Sequence, residues 1–111
     1  MDIKTSKKGI ATVVMVSGRM DAVTAPDFEK RCSELIDSGD LALAIDLENL
    51  EYISSAGLRS ILATGKKIKG AGGQIVFCSL AGMVKEVFDI SGFASIFPVY
   101  GTQDEAVAKL G

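Results

Sequence analysis

The chain lacks histidine altogether. Histidine is the commonest general base in enzymes and the commonest metal ligand, so its absence excludes Ser-His and Cys-His dyads and disfavours metal sites. Asp46 and Glu48 are close in sequence, but no nucleophile or base completes a hydrolytic site with them. We therefore predict that the protein is not an enzyme and has no catalytic residue, bound metal or cofactor.

Long apolar runs and basic clusters are also missing. No stretch approaches the roughly 20 apolar residues that a membrane span needs, and Met1–Lys4 lacks the apolar core of a signal peptide. The densest basic runs, Lys7–Lys8 and Lys66–Lys67, are too short to indicate binding to lipid or to a nucleic-acid backbone. These absences predict a cytoplasmic protein whose partners are neither membranes nor nucleic acids.

The residues that are present are sufficient for one folded domain. The chain has 111 residues, 48% of them apolar, and a net charge of −2. This length and composition predict a single domain over residues 1–111 with one hydrophobic core. Cys32 and Cys78 lie far apart, each within an apolar pattern, so we expect both to be reduced and buried.

The first part of the chain predicts a β-hairpin followed by a helix. Ile3–Val16 contains two strands separated by the turn residues Lys7–Gly9, and Ser17–Asp21 is expected to form a loop. Thr24 and Asp27 have the spacing of a capping box, which predicts the start of a helix. The buried face of that helix is predicted to consist of Phe28, Cys32, Leu35 and Ile36.

The rest of the chain alternates between strands and helices. Leu41–Leu47 is an apolar run typical of a strand that is covered on both faces. Ser79 is expected to cap a third helix, and Thr102 with Glu105 predicts a capping box for a last helix. Two further strands are predicted at Gln74–Cys78 and Phe97–Tyr100. The second helix, from about Ala56 to Lys69, and the third are expected to bury Leu58, Ile61, Leu62, Ile68, Met83, Val84, Val87 and Phe88.

The order of the predicted elements is ββαβαβαβα. Strands that alternate with helices form parallel sheets, whereas the initial hairpin adds an antiparallel strand. We therefore predict an α/β fold with a mixed, mostly parallel sheet, an N-terminal β-hairpin and about four helices packed on the sheet.

The segment Asp46–Arg59 is the most informative for function. It joins the end of a buried strand to the start of a helix, where open α/β sheets place their sites. Ser54 and Ser55 stand at that helix start, whose free N–H groups and partial positive charge stabilise a phosphoryl group. Two interpretations remain open and are compatible: one serine caps the helix, and one serine accepts a phosphoryl group.

A family resemblance is carried by Tyr52–Leu58, which is similar to the signature of the STAS domain, the module of sulphate transporters and anti-sigma factor antagonists. The similarity covers nearly the whole chain, with the elements in the same order. It extends to Ser17–Asp21 with Thr24–Ala25, to Leu43–Leu47, to Gly72–Ile75 and to Leu80–Phe88.

The resemblance implies an anti-sigma factor antagonist, a bacterial partner-switching regulator that itself catalyses nothing. Such an antagonist binds an anti-sigma factor that is also a serine kinase of the histidine-kinase-like ATPase fold, and binding releases the sigma factor. The kinase phosphorylates a serine at the start of the second helix, which breaks the complex. A serine phosphatase of the metal-dependent type restores it.

The resemblance also implies which residues act. When the chain is aligned on Gly57 and Leu58, the modified serine of the family falls on Ser55, which we favour over Ser54. The expected partner-binding residues are Asp21, Ser54, Ser55, Ala56, Gly57 and Arg59. Asp21 can alternatively serve its own loop by accepting backbone N–H groups. Arg59 is either a solvated surface residue or a partner for a phosphate on Ser55.

Two other classes of function fit the composition. One is a small α/β domain that senses a nucleotide or another small molecule at the loop before Ser54. The other is an unphosphorylated scaffold subunit of a larger signalling assembly. Ligand-dependent thermal melting tests the first, and self-association of the isolated domain tests the second.

Overall fold

Six strands and five helices make up the computed structural model, which describes residues 1–111. The strands are β1 (Asp2–Lys8), β2 (Ala11–Met20), β3 (Ala42–Asp46), β4 (Leu50–Ile53), β5 (Gln74–Cys78) and β6 (Val99–Tyr100). The helices are α1 (Ala25–Asp37), α2 (Ser55–Gly70), α3 (Gly82–Ser91), α4 (Phe93–Ile96) and α5 (Gln103–Leu110). None of the five helices combines the length and the apolar character that crossing a membrane requires.

The sheet is organised on β2. This strand pairs antiparallel with β1 and parallel with β3, and the order β1-β2-β3-β5-β6 continues through parallel pairs. Strand β4 lies off this path and pairs in parallel with the last residues of β2, after a register shift between Gly18 and Arg19. The predicted α/β fold, with a mostly parallel sheet and an N-terminal hairpin, is confirmed.

The prediction for the end of β2 is wrong. Ser17–Asp21 was expected to be a loop, but the strand continues to Met20 because β1 and then β4 pair with it. Strand β4, which was not predicted, supplies the second of these pairings. Gly18 has φ +91°, a left-handed conformation that suits glycine and lets the strand shift register there. As a result, β2 and β4 end side by side, next to the start of α2.

Two apolar clusters lie on opposite faces of the sheet. The larger has 21 buried residues and joins the sheet to α1, α2, α3 and α4, whereas the smaller has eight and lies under α5. Cys32 belongs to the larger cluster and Cys78 to the smaller one. Both thiols are free and buried, as predicted. Burial raises the pKa of Cys32 to about 12 and that of Cys78 to about 11.

The three predicted helix caps have different outcomes. The Thr102 hydroxyl accepts a hydrogen bond from the Glu105 N–H at 3.2 Å, which confirms the cap of α5. Thr24 precedes α1 but makes no side-chain cap, because its hydroxyl donates instead to the Arg19 carbonyl at 2.7 Å. Ser79 does not cap α3: it adopts a left-handed conformation with φ +62°, and the helix begins only at Gly82.

The region after α3 also differs from prediction. Val84 and Phe88 are buried as expected, but Met83 is exposed. Gly92, with φ +79°, ends α3 and leads into the additional one-turn helix α4, which gives five helices rather than about four. This extra turn buries Phe93, whose ring stacks edge-on against those of Phe88 and Phe97.

Candidate functional site

Ser54 holds the junction between β4 and α2. It is the N-cap of α2, with an extended backbone, and its hydroxyl accepts a hydrogen bond from the Gly57 N–H at 3.3 Å. Its own N–H donates to the Met20 carbonyl at 2.9 Å, so the cap is tied to the end of β2. The hydroxyl and the backbone N–H of Ser54 therefore both serve the fold.

Ser55 is the first residue of α2 and is exposed to solvent. No hydrogen bond within the chain engages its hydroxyl, in contrast to that of Ser54. The first turn of the helix contains no acidic residue, so the partial positive charge of the helix start is not compensated there. The structure thus assigns the cap of the helix to Ser54, whereas Ser55 presents a hydroxyl that makes no hydrogen bond within the chain.

Gly57 brings the start of α2 unusually close to the sheet. A Cβ atom on Gly57 would lie 2.7 Å from Ile53 Cγ1, which is too close for a real contact, and 3.0 Å from the Met20 carbonyl oxygen, which is a tight one. The ends of β2 and β4 therefore form the surface on which this turn of helix rests. Gly57 itself is buried in the fold.

Asp21 organises the loop between β2 and α1. Its carboxylate oxygen Oδ1 accepts hydrogen bonds from the Val23 N–H at 3.0 Å and from the Thr24 N–H at 3.1 Å. The Thr24 backbone bond is the main cause that lowers the pKa of Asp21, so the carboxylate is charged at neutral pH. Asp21 thus fulfils the loop role that sequence analysis left open, and it does so at the surface beside Ser54.

The six residues expected at a partner surface share one edge of the molecule. Ser54, Ser55, Ala56, Gly57 and Arg59 fall in the first two turns of α2 or at its cap, and Asp21 follows the strand end to which Ser54 is bonded. Ser55 and Arg59 are exposed, and Ala56 is half-buried. Arg59 forms no ion pair within the chain, which leaves its guanidinium available to an outside group.

A contact between Arg19 and Tyr52 at this edge was not predicted from the sequence. The two residues are neighbours across β2 and β4, and the Arg19 guanidinium lies 4.1 Å from the centre of the Tyr52 ring. This cation–π contact holds an exposed positive charge in place near the ends of the two strands. No local pattern could have indicated it, because the pairing depends on β4, which was not predicted.

A second polar region lies at the carboxyl end of β3, around Asp46. This carboxylate is buried and accepts hydrogen bonds from the Glu48 N–H at 3.0 Å and from Gln103 Nε2 at 2.8 Å. A polar depression of about 250 Å³ lies beside it. Nowhere in the chain are three histidine, cysteine, aspartate or glutamate side chains grouped as a metal ion would require.

A family model matches nearly the whole of the chain. Residues 2–106 match the family model described as STAS domain. The chain belongs to the STAS domain family, as its sequence resemblance implied.

Named relatives of the chain are anti-sigma factor antagonists. It is 38% identical over 96 residues to "Putative anti-sigma factor antagonist BtrV" of Bordetella bronchiseptica, a match that covers 86% of this chain and 83% of the relative. It is 27% identical over 107 residues to the anti-sigma-B factor antagonist of Bacillus subtilis, covering 96% and 95% of the two chains.

Solved structures agree with the fold. An anti-sigma factor antagonist from Mycobacterium paratuberculosis superimposes with a TM-score of 0.89 at 28% identity, over 98% of this chain and 92% of that one. The antagonist SpoIIAA of Bacillus in its phosphorylated form gives a TM-score of 0.76 at 17% identity, over 99% and 100%. The second likeness supports the fold alone.

Proposed function

We propose that this protein is an anti-sigma factor antagonist that acts by binding and not by catalysis. The names of its relatives support the class. The chain contains no histidine and no grouped metal ligands, and its candidate site offers a hydroxyl and a positively charged rim rather than a nucleophile paired with a base. The protein acts by forming a complex with its partner, and a chemical change at the candidate site can break that complex.

The proposed partner is an anti-sigma factor that is also a serine kinase of the histidine-kinase-like fold. The unmodified antagonist binds it, and transfer of the γ-phosphoryl group of ATP to the Ser55 hydroxyl releases ADP and breaks the complex. A serine phosphatase of the metal-dependent type removes the phosphoryl group and restores binding. The antagonist is the substrate of both enzymes.

The observation that carries this proposal is the unequal use of the two serines. The Ser54 hydroxyl already accepts the Gly57 N–H, whereas the Ser55 hydroxyl is exposed and unengaged. A kinase can reach Ser55 without disrupting the helix cap. The start of α2 also tolerates the product, because its N–H groups and its dipole stabilise a phosphate there. Arg59, one helical turn further on, adds a positive charge to the same surface.

The modification site can be tested directly. When the protein is incubated with ATP and its cognate serine kinase, tandem mass spectrometry is expected to find one phosphoryl group, on Ser55. Ser55→Ala should abolish the modification. The matched control Ser54→Ala should still be phosphorylated, although its helix is less well capped. Phosphate on Ser54, with Ser55→Ala still modified, would contradict the assignment.

A further inference from the structure

Val23 lies at the edge of the molecule that carries Ser55, and the proposed function assigns it no role. It lies in the loop between β2 and α1, and 83% of it is exposed to solvent. Hydrogen bonds fix the backbone of this loop. The Asp21 carboxylate accepts hydrogen bonds from the N–H groups of Val23 and Thr24, and the Thr24 hydroxyl donates one to the Arg19 carbonyl. An apolar side chain is thus held largely in water on a fixed backbone, and it belongs to neither apolar cluster of the fold.

Val23 and Ser55 stand on neighbouring helix starts. Strands β2 and β4 run parallel and end together, and the Ser54 N–H bonds to the Met20 carbonyl across them at 2.9 Å. The helices that follow the two strands, α1 and α2, pack side by side on the same face of the sheet. The loop that carries Val23 therefore opens on the same edge as Ser55, and both residues are exposed to solvent.

We propose that Val23 is an apolar anchor for the kinase that phosphorylates Ser55, and that it enters an apolar recess beside that kinase's phosphoryl-transfer site. The inference rests on the proposed function and adds a contact to it. Because the loop is already ordered, binding loses little conformational entropy there, and the contact gains the free energy of removing the valine side chain from water. Val23 would hold the antagonist in register while Ser55 reacts, and would contribute to the choice of partner.

The test compares affinities for that kinase by calorimetric titration. Val23→Ala is expected to weaken binding about tenfold, the loss typical of a truncated anchor. Val23→Asp should weaken it about 100-fold or more, because a charge would enter an apolar recess. The matched control is Ile10→Asp, at another exposed apolar residue, 63% accessible, in the β1–β2 turn at the far end of β2. Its affinity should stay within about twofold of the wild type.

Kinetics give a second readout. If Val23 acts only in binding, its variants should raise the KM for phosphorylation of Ser55 and leave kcat nearly unchanged. Thermal melts of each variant should match the wild type, since Val23 is largely exposed and belongs to neither apolar cluster. If the wild type binds the kinase and Val23→Asp binds equally well, the anchor is refuted while the proposed function stands. If the wild type itself fails to bind, the proposed function fails and the anchor fails with it.

Discussion

The starts of helices α2 and α5 are built alike and used differently. Both follow the carboxyl ends of parallel strands, and both are capped by a hydroxyl that accepts the N–H three residues later: Ser54 from Gly57 and Thr102 from Glu105. The N-terminal backbone of the two helices is therefore capped in the same way. What differs is the chemistry of the first turn.

At α5 the side chains of the first turn interact with the helix and with the rest of the protein. Asp104 and Glu105 compensate the helix dipole, and the side chain of Gln103 bonds to Lys8 and to the buried Asp46. At α2 the corresponding turn has no acidic residue, and the hydroxyl of the corresponding first residue, Ser55, makes no hydrogen bond within the chain. The comparison teaches that capping a helix and presenting a modifiable group are separable tasks, which α2 divides between adjacent serines.

The largest effect is expected when the first turn of α2 is given a charge. Phosphorylation of Ser55 adds about −1.5 to −2 charges at pH 7, and an interface shaped for a hydroxyl cannot bury them without cost. Calorimetric titration should show a loss of kinase affinity of about three orders of magnitude, or about 4 kcal/mol. Ser55→Asp should lose less, and Ser55→Ala should keep the affinity.

The same modification should leave the fold intact, because the helix start stabilises the phosphate. The melting temperature of the phosphorylated protein is therefore expected to equal or slightly exceed that of the unmodified one. Equal kinase affinity of the two forms would defeat the proposed switch. A collapse of the melting temperature would instead show that phosphorylation acts through unfolding.

A smaller effect should follow from adding one methyl group under the start of α2. In Gly57→Ala the new Cβ would meet Ile53 and the Met20 carbonyl, so the free energy of unfolding should fall by about 1–3 kcal/mol in urea titrations. The control is Gly70→Ala at the other end of α2, where a Cβ would meet nothing within 4 Å. That variant should be neutral or up to about 1 kcal/mol more stable. If both variants behaved alike, the close approach of Gly57 to the sheet would be disproved.

Truncating the first residue should destabilise the protein at α5 and leave its stability nearly unchanged at α2. Gln103→Ala leaves the buried Asp46 carboxylate without its side-chain donor and should cost about 1–2 kcal/mol of unfolding free energy. Ser55→Ala removes a hydroxyl that bonds to nothing and should change stability by less than about 0.5 kcal/mol. Denaturant unfolding of both variants measures the difference, and a destabilised Ser55→Ala would reveal a structural role for that hydroxyl.

The smallest effect should come from the loop beside α2 and should depend on pH. Hydrogen bonds lower the pKa of Asp21 in the folded protein, so its charge stabilises the fold above the unfolded-state pKa of about 3.9 and ceases to do so as the pH falls through the folded-state value. Asp21→Asn should therefore be less stable than the wild type at neutral pH, and the gap should close below about pH 4. Thermal melts across that range measure it. The pKa of Asp40 is also lowered, by its bond to Lys7. Asp40 titrates in both proteins, so its contribution to the pH dependence cancels when their stabilities are compared. A gap that stayed constant with pH would show that the Asp21 charge is not involved.

Elements with a strong local signal could be predicted from sequence. The apolar run of β3 and the helical spacing of apolar residues in α1 indicate which side chains are buried. They do so because these patterns depend only on residues that are close together in the chain. Strand β4 has only four residues, and it forms because β2 happens to end beside it. That pairing is non-local, so neither β4 nor the contact between Arg19 and Tyr52 that depends on it is visible in a local pattern.

The candidate site shows the same division. The resemblance and the helix start indicated Ser55, but which serine caps α2 depends on the extended backbone of Ser54, which only the structure defines. Thr24 illustrates the converse case. Its spacing to Asp27 is that of a capping box, yet the extension of β2 brings the Arg19 carbonyl within reach of its hydroxyl, and that bond replaces the cap.

Cys32 and Cys78 place one buried thiol on each side of the sheet, where it can be labelled once it becomes exposed. The thiolate is the form that reacts with alkylating agents, and pKa values of about 12 and about 11 keep both groups protonated while they are buried. Alkylation therefore has to wait until a face opens: α1 must detach to release Cys32, whereas α5 must detach to release Cys78. The labelling rates of the two thiols would thus report separately how often each layer of helices leaves the sheet.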